Sequence, residues 1–353
     1  MRNDFDQVLR RNIEFTSEAV KRGVLIQVTA IDEIAGPGMR PLEAWNFPED
    51  ALTYMDACIE QMQGYWSRRR TVRDDLLPSL KPFFGIAEHT AFVGGRVVYG
   101  GDTSYHEHPL KSLDAVDQLA CHEDNENFSM LMRSMAYLKE RSGEEGFIAS
   151  LRGGEAPMDM ANGIRGNDLF MDFYDSPDRI HELVAFCTEA SKWTFDHQHA
   201  VVGQVNDGTM TGMGVWIPGH SIGHLSEDAS CMCSAELYRE FGRPYTEKLL
   251  KHYDCAMVHV HTYGRHVLPE ICAIDKVKFV QLEYDPNQPS PIETFREYDE
   301  VLDGKVVVVR AGSEEIEANL DFLTARKCIV WATTKTLSEA RQLVDRVHGA
   351  SDF

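Results

Sequence analysis

The sequence predicts an α/β fold, a (β/α)8 barrel with an N-terminal helical extension. Three observations carry this. Eight apolar, β-branched runs of strand length recur along 353 residues. Amphipathic helical segments separate them, and several runs are apolar without alternation, as in parallel strands covered on both faces. An open doubly wound sheet is the second choice. The barrel is expected to occupy residues 1–353 as one domain, with 1–23 as the helical extension, because barrels commonly reach this length undivided.

In chain order the strand runs are VLIQVTAI (24 to 31), KPFFGIA (81 to 87), GFIASL (146 to 151), TGMGVWI (211 to 217), CAMVHVH (255 to 261), VKFVQLEY (277 to 284), KVVVVRA (305 to 311) and KCIVWAT (327 to 333). Helix starts are readable between them. Ser176-Pro177 opens one, since Pro suits the first helical position and Ser the cap. Ser234 and Ser313 open two more, and Thr336 with Glu339 forms a capping box. Glu33 to Asn46, rich in Gly and Pro, reads as a loop after the first strand, where a barrel carries site loops. No phosphate-binding glycine loop follows a strand; GRVVYGGD has the wrong spacing.

Composition narrows the function. Hydrophobic residues make up 43% and charged residues 26%, an ordinary globular balance. The formal charge of −21 opposes nucleic acid and anionic membrane surfaces. No apolar stretch approaches the ~20 residues of a spanning helix, and the N-terminus lacks the apolar core of a secretory signal. Eight scattered cysteines without a C-x-x-C pair suit reduced thiols, so a cytoplasmic location is expected.

Eight of the fourteen histidines fall between His197 and His266. One group, IPGHSIGHLSEDASCMCS, holds His220, His224, Asp228, Cys231 and Cys233, with Pro and Gly marking a loop; the cysteines read equally well as buried packing. The other is CAMVHVHTYGRH. In a strand alternate residues share a face, so Val258 and Val260 turn to the helices while Met257, His259 and His261 turn inward. His261 then stands at the C-terminal rim, where barrel enzymes hold their chemistry. Glu283, Arg310, Arg152 and Thr334 stand at other strand ends and converge there if the barrel is right.

The segments RDDLLPSLKPFFGIAEHTAFVGG, GNDLFMDFYDSPDRIHELV, CSAELYREFGRPYTEKLL, VHVHTYGRHVLPEI, VKFVQLEYD and GKVVVVRAG together resemble the uroporphyrinogen decarboxylase superfamily, over about residues 54 to 347. Its members are (β/α)8 barrels that include the haem-pathway decarboxylase and cobalamin-dependent methyltransferases. The arginine-rich loop of the decarboxylase is missing near residues 24 to 46, where only Arg40 is basic. The zinc motif H-x-C-G of the methyltransferases reads here His261-Thr262-Tyr263-Gly264, and their later cysteine falls near Thr334. Without thiolates a zinc site would be a harder Lewis acid, built from His261 with His259 or His220 and Glu283.

The resemblance implies a methyltransferase in corrinoid-linked one-carbon metabolism, with zinc, and with a corrinoid as co-substrate or on a partner protein. Metal ligands would be His261, His259 and Glu283; catalytic groups His261, Tyr263 and Glu283; substrate contacts His220, His224, Arg310, Arg152 and Thr334. Two readings stay open beside it. One is a decarboxylase or lyase needing no cofactor, with Arg310 or Arg152 on a small carboxylated substrate and His261 or Tyr263 as proton donor. The other is a ligand-binding barrel without chemistry. A homodimer is a further expectation from the fold.

Overall fold

The computed structural model describes residues 4–351 and 353. Eight parallel barrel strands are numbered here in chain order: β1 Gly23–Ile31, β2 Ser79–Leu80, β3 in two pieces at Ile148–Ala149 and Gly154–Glu155, β4 Ile222–Ser226, β5 Ala256–His261, β6 Val277–Glu283, β7 Val306–Gly312 and β8 Lys327–Thr334. One continuous sheet runs β1-β8-β7-β6-β5-β4 to the second piece of β3, and the first piece of β3 pairs with β2.

The seam between β1 and β2 is closed by two carboxylate side chains and one backbone hydrogen bond rather than by a ladder. The Asp75 amide donates to the Ile26 carbonyl at 2.7 Å, and the Asp75 carboxylate accepts the Ile26 amide at 2.9 Å. The Asp74 carboxylate accepts the Val28 amide at 2.7 Å. Two buried carboxylates would be costly alone. Arg69, itself 1% exposed, meets Asp74 at 2.6 Å, while Arg11 and His348 reach Asp75.

Strand alternation divides the core in two. Val258, Val260, Val307 and Val309 face outward into the layer between sheet and helices. Leu25, Met257, Phe279, Val306, Val308 and Ile329 face inward and fill the lower half of the barrel. Phe15, from the helix Phe5–Thr16, reaches the same interior cluster from the N-terminal side. Along each inward column the residues then turn polar: Met257 gives way to His259 and His261, Phe279 to Gln281 and Glu283, Val308 to Arg310, Leu25 to Gln27. An apolar floor thus carries a polar mouth.

The fourth strand differs from the sequence expectation. Residues 211 to 217 are not a barrel strand. Gly208–Met210 and Trp216–Pro218 form an antiparallel hairpin whose Val215 and Ile217 join the inner floor. Gly212 sits where a Cβ would lie 2.5 Å from the Arg152 carbonyl oxygen, so the chain passes too close for any side chain. The barrel strand follows at Ile222–Ser226.

The expected second strand, 81 to 87, begins just after β2 ends at Leu80, and the expected third, 146 to 151, spans only the first piece of the interrupted β3. A further hairpin, Val97–Gly100 with Thr103–His106, lies in the stretch that had been weighed only as a glycine loop. The helix opened by Ser176-Pro177 runs Pro177–Val202, and Thr336 accepts the Glu339 amide at 3.1 Å at the start of Leu337–Ala350. Among the described residues no helix is long and apolar enough to cross a membrane.

Candidate functional site

The C-terminal ends of β4, β5 and β6 bring together the groups most able to hold a cation. Asp228, just beyond β4, His259 and His261 each offer one ligand atom, all within 4.8 Å of one another. Asp228 Oδ1 lies 3.5 Å from His259 Nε2 and 3.7 Å from His261 Nε2. Both histidines stand on the inward face of β5, one pleat apart, as the alternation of β5 requires.

Each imidazole is oriented by its other nitrogen. His259 Nδ1 is hydrogen-bonded to the side-chain oxygen of Gln281, its register partner on β6. His261 Nδ1 lies 2.8 Å from Asp285 Oδ1. Both partners are acceptors, so each Nδ1 carries the proton and donates it. Each Nε2 therefore keeps its lone pair toward Asp228, the arrangement by which outer-shell carboxylates and carbonyls prepare histidine ligands. Asp285 also accepts the Tyr263 amide at 2.8 Å, which fixes the turn after β5.

Asp228 is held by the chain beneath it. The Asp159 carboxylate accepts the amides of Asp228 and Ala229, both at 2.6 Å, and the Ser226 hydroxyl at 2.8 Å. Behind it lie more acids. Burial, followed by the charge of Asp228, pushes Glu155 up to about 8 and Asp159 well above the carboxylate range. Burial also raises Glu227 to about 7, against hydrogen bonds from Tyr238 and Thr246 that lower it. A cation beside Asp228 would oppose these upward shifts, since a bound ion is usually the largest local charge.

Glu283, expected as a metal ligand, does not enter this group. Its carboxylate accepts the Gln281 amide nitrogen at 3.1 Å and faces Arg310 Nε at 3.6 Å. Arg310 in turn donates to the Thr29 hydroxyl at 3.3 Å and lies over the Trp331 ring. A polar chain thus runs across the mouth from His259 through Gln281, Glu283 and Arg310 to Thr29.

Thr29 lines a cavity of about 660 Å³ beneath the helix Ala51–Arg68, bounded by Ser79, Lys81, Ser150 and Met213. A larger cavity of about 890 Å³ opens at the opposite end of the barrel, among Lys278, Lys305 and Lys327. It lies at the strands' N-terminal ends, away from the histidines, whereas the smaller one lies at the ends of β1 and β2.

The other expected residues scatter. His220 precedes β4 and sits exposed at the N-terminal rim, its ring 4.0 Å from that of His199; it cannot join His261 as a ligand. His224 lies within β4 and points inward, its ring 5.3 Å from His259 and its Nδ1 buried without a partner. Arg152 is 1% exposed, ion-paired to Glu88 and bonded to the Gly85 carbonyl, and so is not free to meet a substrate. Thr334 is buried with its hydroxyl unpaired among the described residues. Tyr263 is 52% exposed and touches the site through its backbone alone. Gly264 has a local reason: a Cβ there would stand 2.9 Å from that of Cys231.

Sequence reasoning misses Asp285, and it names Asp228 only within its loop, without a role as ligand. Both stand in stretches already singled out, SEDAS and QLEYDP. Their signal was their place just past a strand end.

No family model matches the chain, and no curated protein matches it. Among solved structures it is similar to a methyltransferase from Methanosarcina mazei, with a TM-score of 0.62 at 11% identity, covering 98% of each chain. At that identity the likeness is one of fold, and the chain is an α/β barrel of the same architecture along its length.

Proposed function

We propose that the chain is a methyltransferase of corrinoid-linked one-carbon metabolism, of the uroporphyrinogen decarboxylase-like kind, with a divalent metal, zinc by preference, held by Asp228, His259 and His261. The observation that supports it best is the convergence of two Nε2 lone pairs and a carboxylate oxygen at the barrel mouth, with both imidazoles already oriented from behind. The similar fold of a methyltransferase agrees with this reading.

Three protein ligands suit a catalytic rather than a closed structural zinc, because the fourth position stays open for substrate. When bound, the metal would act as a Lewis acid that favours the deprotonated form of the methyl acceptor. Lacking thiolates, the set is harder than one built on cysteine and favours an oxygen acceptor. A methylcorrinoid would supply the methyl group to the acceptor's freed electron pair and keep the electron pair of the bond broken, while Asp228, His259 and His261 would hold the metal that readies the acceptor. With Oδ1 of half-exposed Asp228 toward the histidines, its second carboxylate oxygen would serve as the base for the acceptor's proton. Gln281 and Asp285 hold the imidazoles still during this exchange.

The cofactor-free lyase reading has less support here. It draws on Arg310 or Arg152 and on His261 or Tyr263; Arg152 is taken up by Glu88, Arg310 faces Glu283 and Thr29, and the Tyr263 ring is exposed, which leaves His261 to it. The test is methyl transfer from methylcobalamin to a panel of alcohols, phenols and thiols, followed by the loss of the methylcobalamin absorbance. Turnover dependent on Asp228 and His261 supports the reading; none across the panel with metal-loaded protein refutes it.

A further inference from the structure

Past the C-terminal end of β2 lie polar side chains that the methyl-transfer reading leaves without a task. Lys81, just past β2, lines the 660 Å³ cavity and makes no hydrogen bond or ion pair among the described residues. The nearest cation, Arg152, is already neutralised by Glu88. His89, 8% exposed, likewise has no hydrogen bond, and meets His224 edge to face with ring centroids 5.9 Å apart. His224 Nδ1 is the third orphan. Burial, followed by the charge of Lys81, holds His89 down at about 3.

Burial, followed by the charge of Arg152, holds the Lys81 amine well below its ordinary value, and a carboxylate brought into contact with it would restore the ammonium and pair with it. The cavity around it is largely apolar, walled by Met39, Met62, Trp66, Leu80, Phe83 and Met213. We propose that Lys81 anchors the carboxylate of a small substrate whose apolar or aromatic body fills this cavity. One lysine, with Asp32 on the same cavity wall, matches at most a single negative charge. A phosphate dianion would need the denser set of cations or amides seen where phosphates bind. The inference names the substrate class of the proposed methyl-transfer site and rests on that reading for the reaction, but not for the binding.

The test uses benzoate as probe, with benzamide as its neutral counterpart and inorganic phosphate as the competing anion, by calorimetry on the protein as purified. Benzoate should bind wild type, and Lys81→Met should weaken it about tenfold or more, the effect of losing one charge-assisted hydrogen bond. Lys81→Arg should restore part of the affinity. Lys81→Met should also melt at a higher temperature than wild type, which shows that it folds. Asp228→Ala should bind benzoate as wild type does, even if methyl transfer is never detected; the two readings can thus fail separately. Benzoate binding that is absent, unchanged in Lys81→Met, matched by benzamide, exceeded by phosphate or abolished only in Asp228→Ala would overturn the inference.

Discussion

His261 donates its Nδ1 proton to Asp285, 2.8 Å away, and this bond decides what the other side of the ring can do. With the proton held there, Nε2 is a lone-pair donor aimed at the mouth beside His259 and Asp228. The account of this site depends on that orientation.

Asp285→Ala should therefore weaken metal binding without removing a ligand. Loss of an outer-shell partner typically costs about 10–100-fold in affinity. A chelator-competition titration checks it, with an unchanged circular dichroism spectrum as the control for folding.

His220→Ala should leave metal content and turnover at wild-type levels, because His220 lies at the opposite end of the barrel from His261. Elemental analysis beside the methyl-transfer assay reads both.

His220 also shows how the sequence misled. Taking residues 211 to 217 as the fourth strand made His220 and His224 appear to follow it, at the catalytic rim. The hairpin occupies that stretch instead, so His220 precedes the strand, His224 lies within it, and Asp228 follows it. Apolar character alone cannot separate a floor hairpin from a barrel strand, since both bury Val and Ile in the same interior. The β5 reading succeeded because alternation is local: valines outward and histidines inward follows from the pleat. Glu283 had the right face, opposite His261 in register, yet Arg310 and Gln281 hold its carboxylate, a contact between side chains of neighbouring strands that no spacing reveals.

Asp74→Ala should destabilise the barrel strongly. It removes the acceptor for the Val28 amide and leaves the fully buried Arg69 guanidinium without its carboxylate. Breaking a buried pair in this way costs about 3–5 kcal/mol. Denaturant unfolding of the variant against wild type measures it, and a change under about 1 kcal/mol, the range of a surface pair, would contradict side-chain closure of the β1 seam.

Glu227 gives a pH signature. Its folded value, raised to about 7, lies above the ordinary 4.5, so between those values the folded state holds a proton that the unfolded state has released. Stability must then fall as pH rises from about 4.5 to about 7 and level off above, as far as this group is concerned. Glu227→Gln keeps an acceptor for Tyr238 and Thr246 but cannot ionise. In chelator-treated protein, the stability of Glu227→Gln relative to wild type should rise across that window; a difference independent of pH would contradict the assignment.

The most direct measurement is metal stoichiometry by elemental analysis, on protein purified without chelators or a polyhistidine tag, for wild type, His261→Ala, Asp228→Ala and Glu283→Gln. The account predicts close to one zinc per wild-type chain, its loss in His261→Ala and Asp228→Ala, and its retention in Glu283→Gln. Metal absent from wild type even after incubation with zinc, or retained in Asp228→Ala but lost in Glu283→Gln, would contradict it.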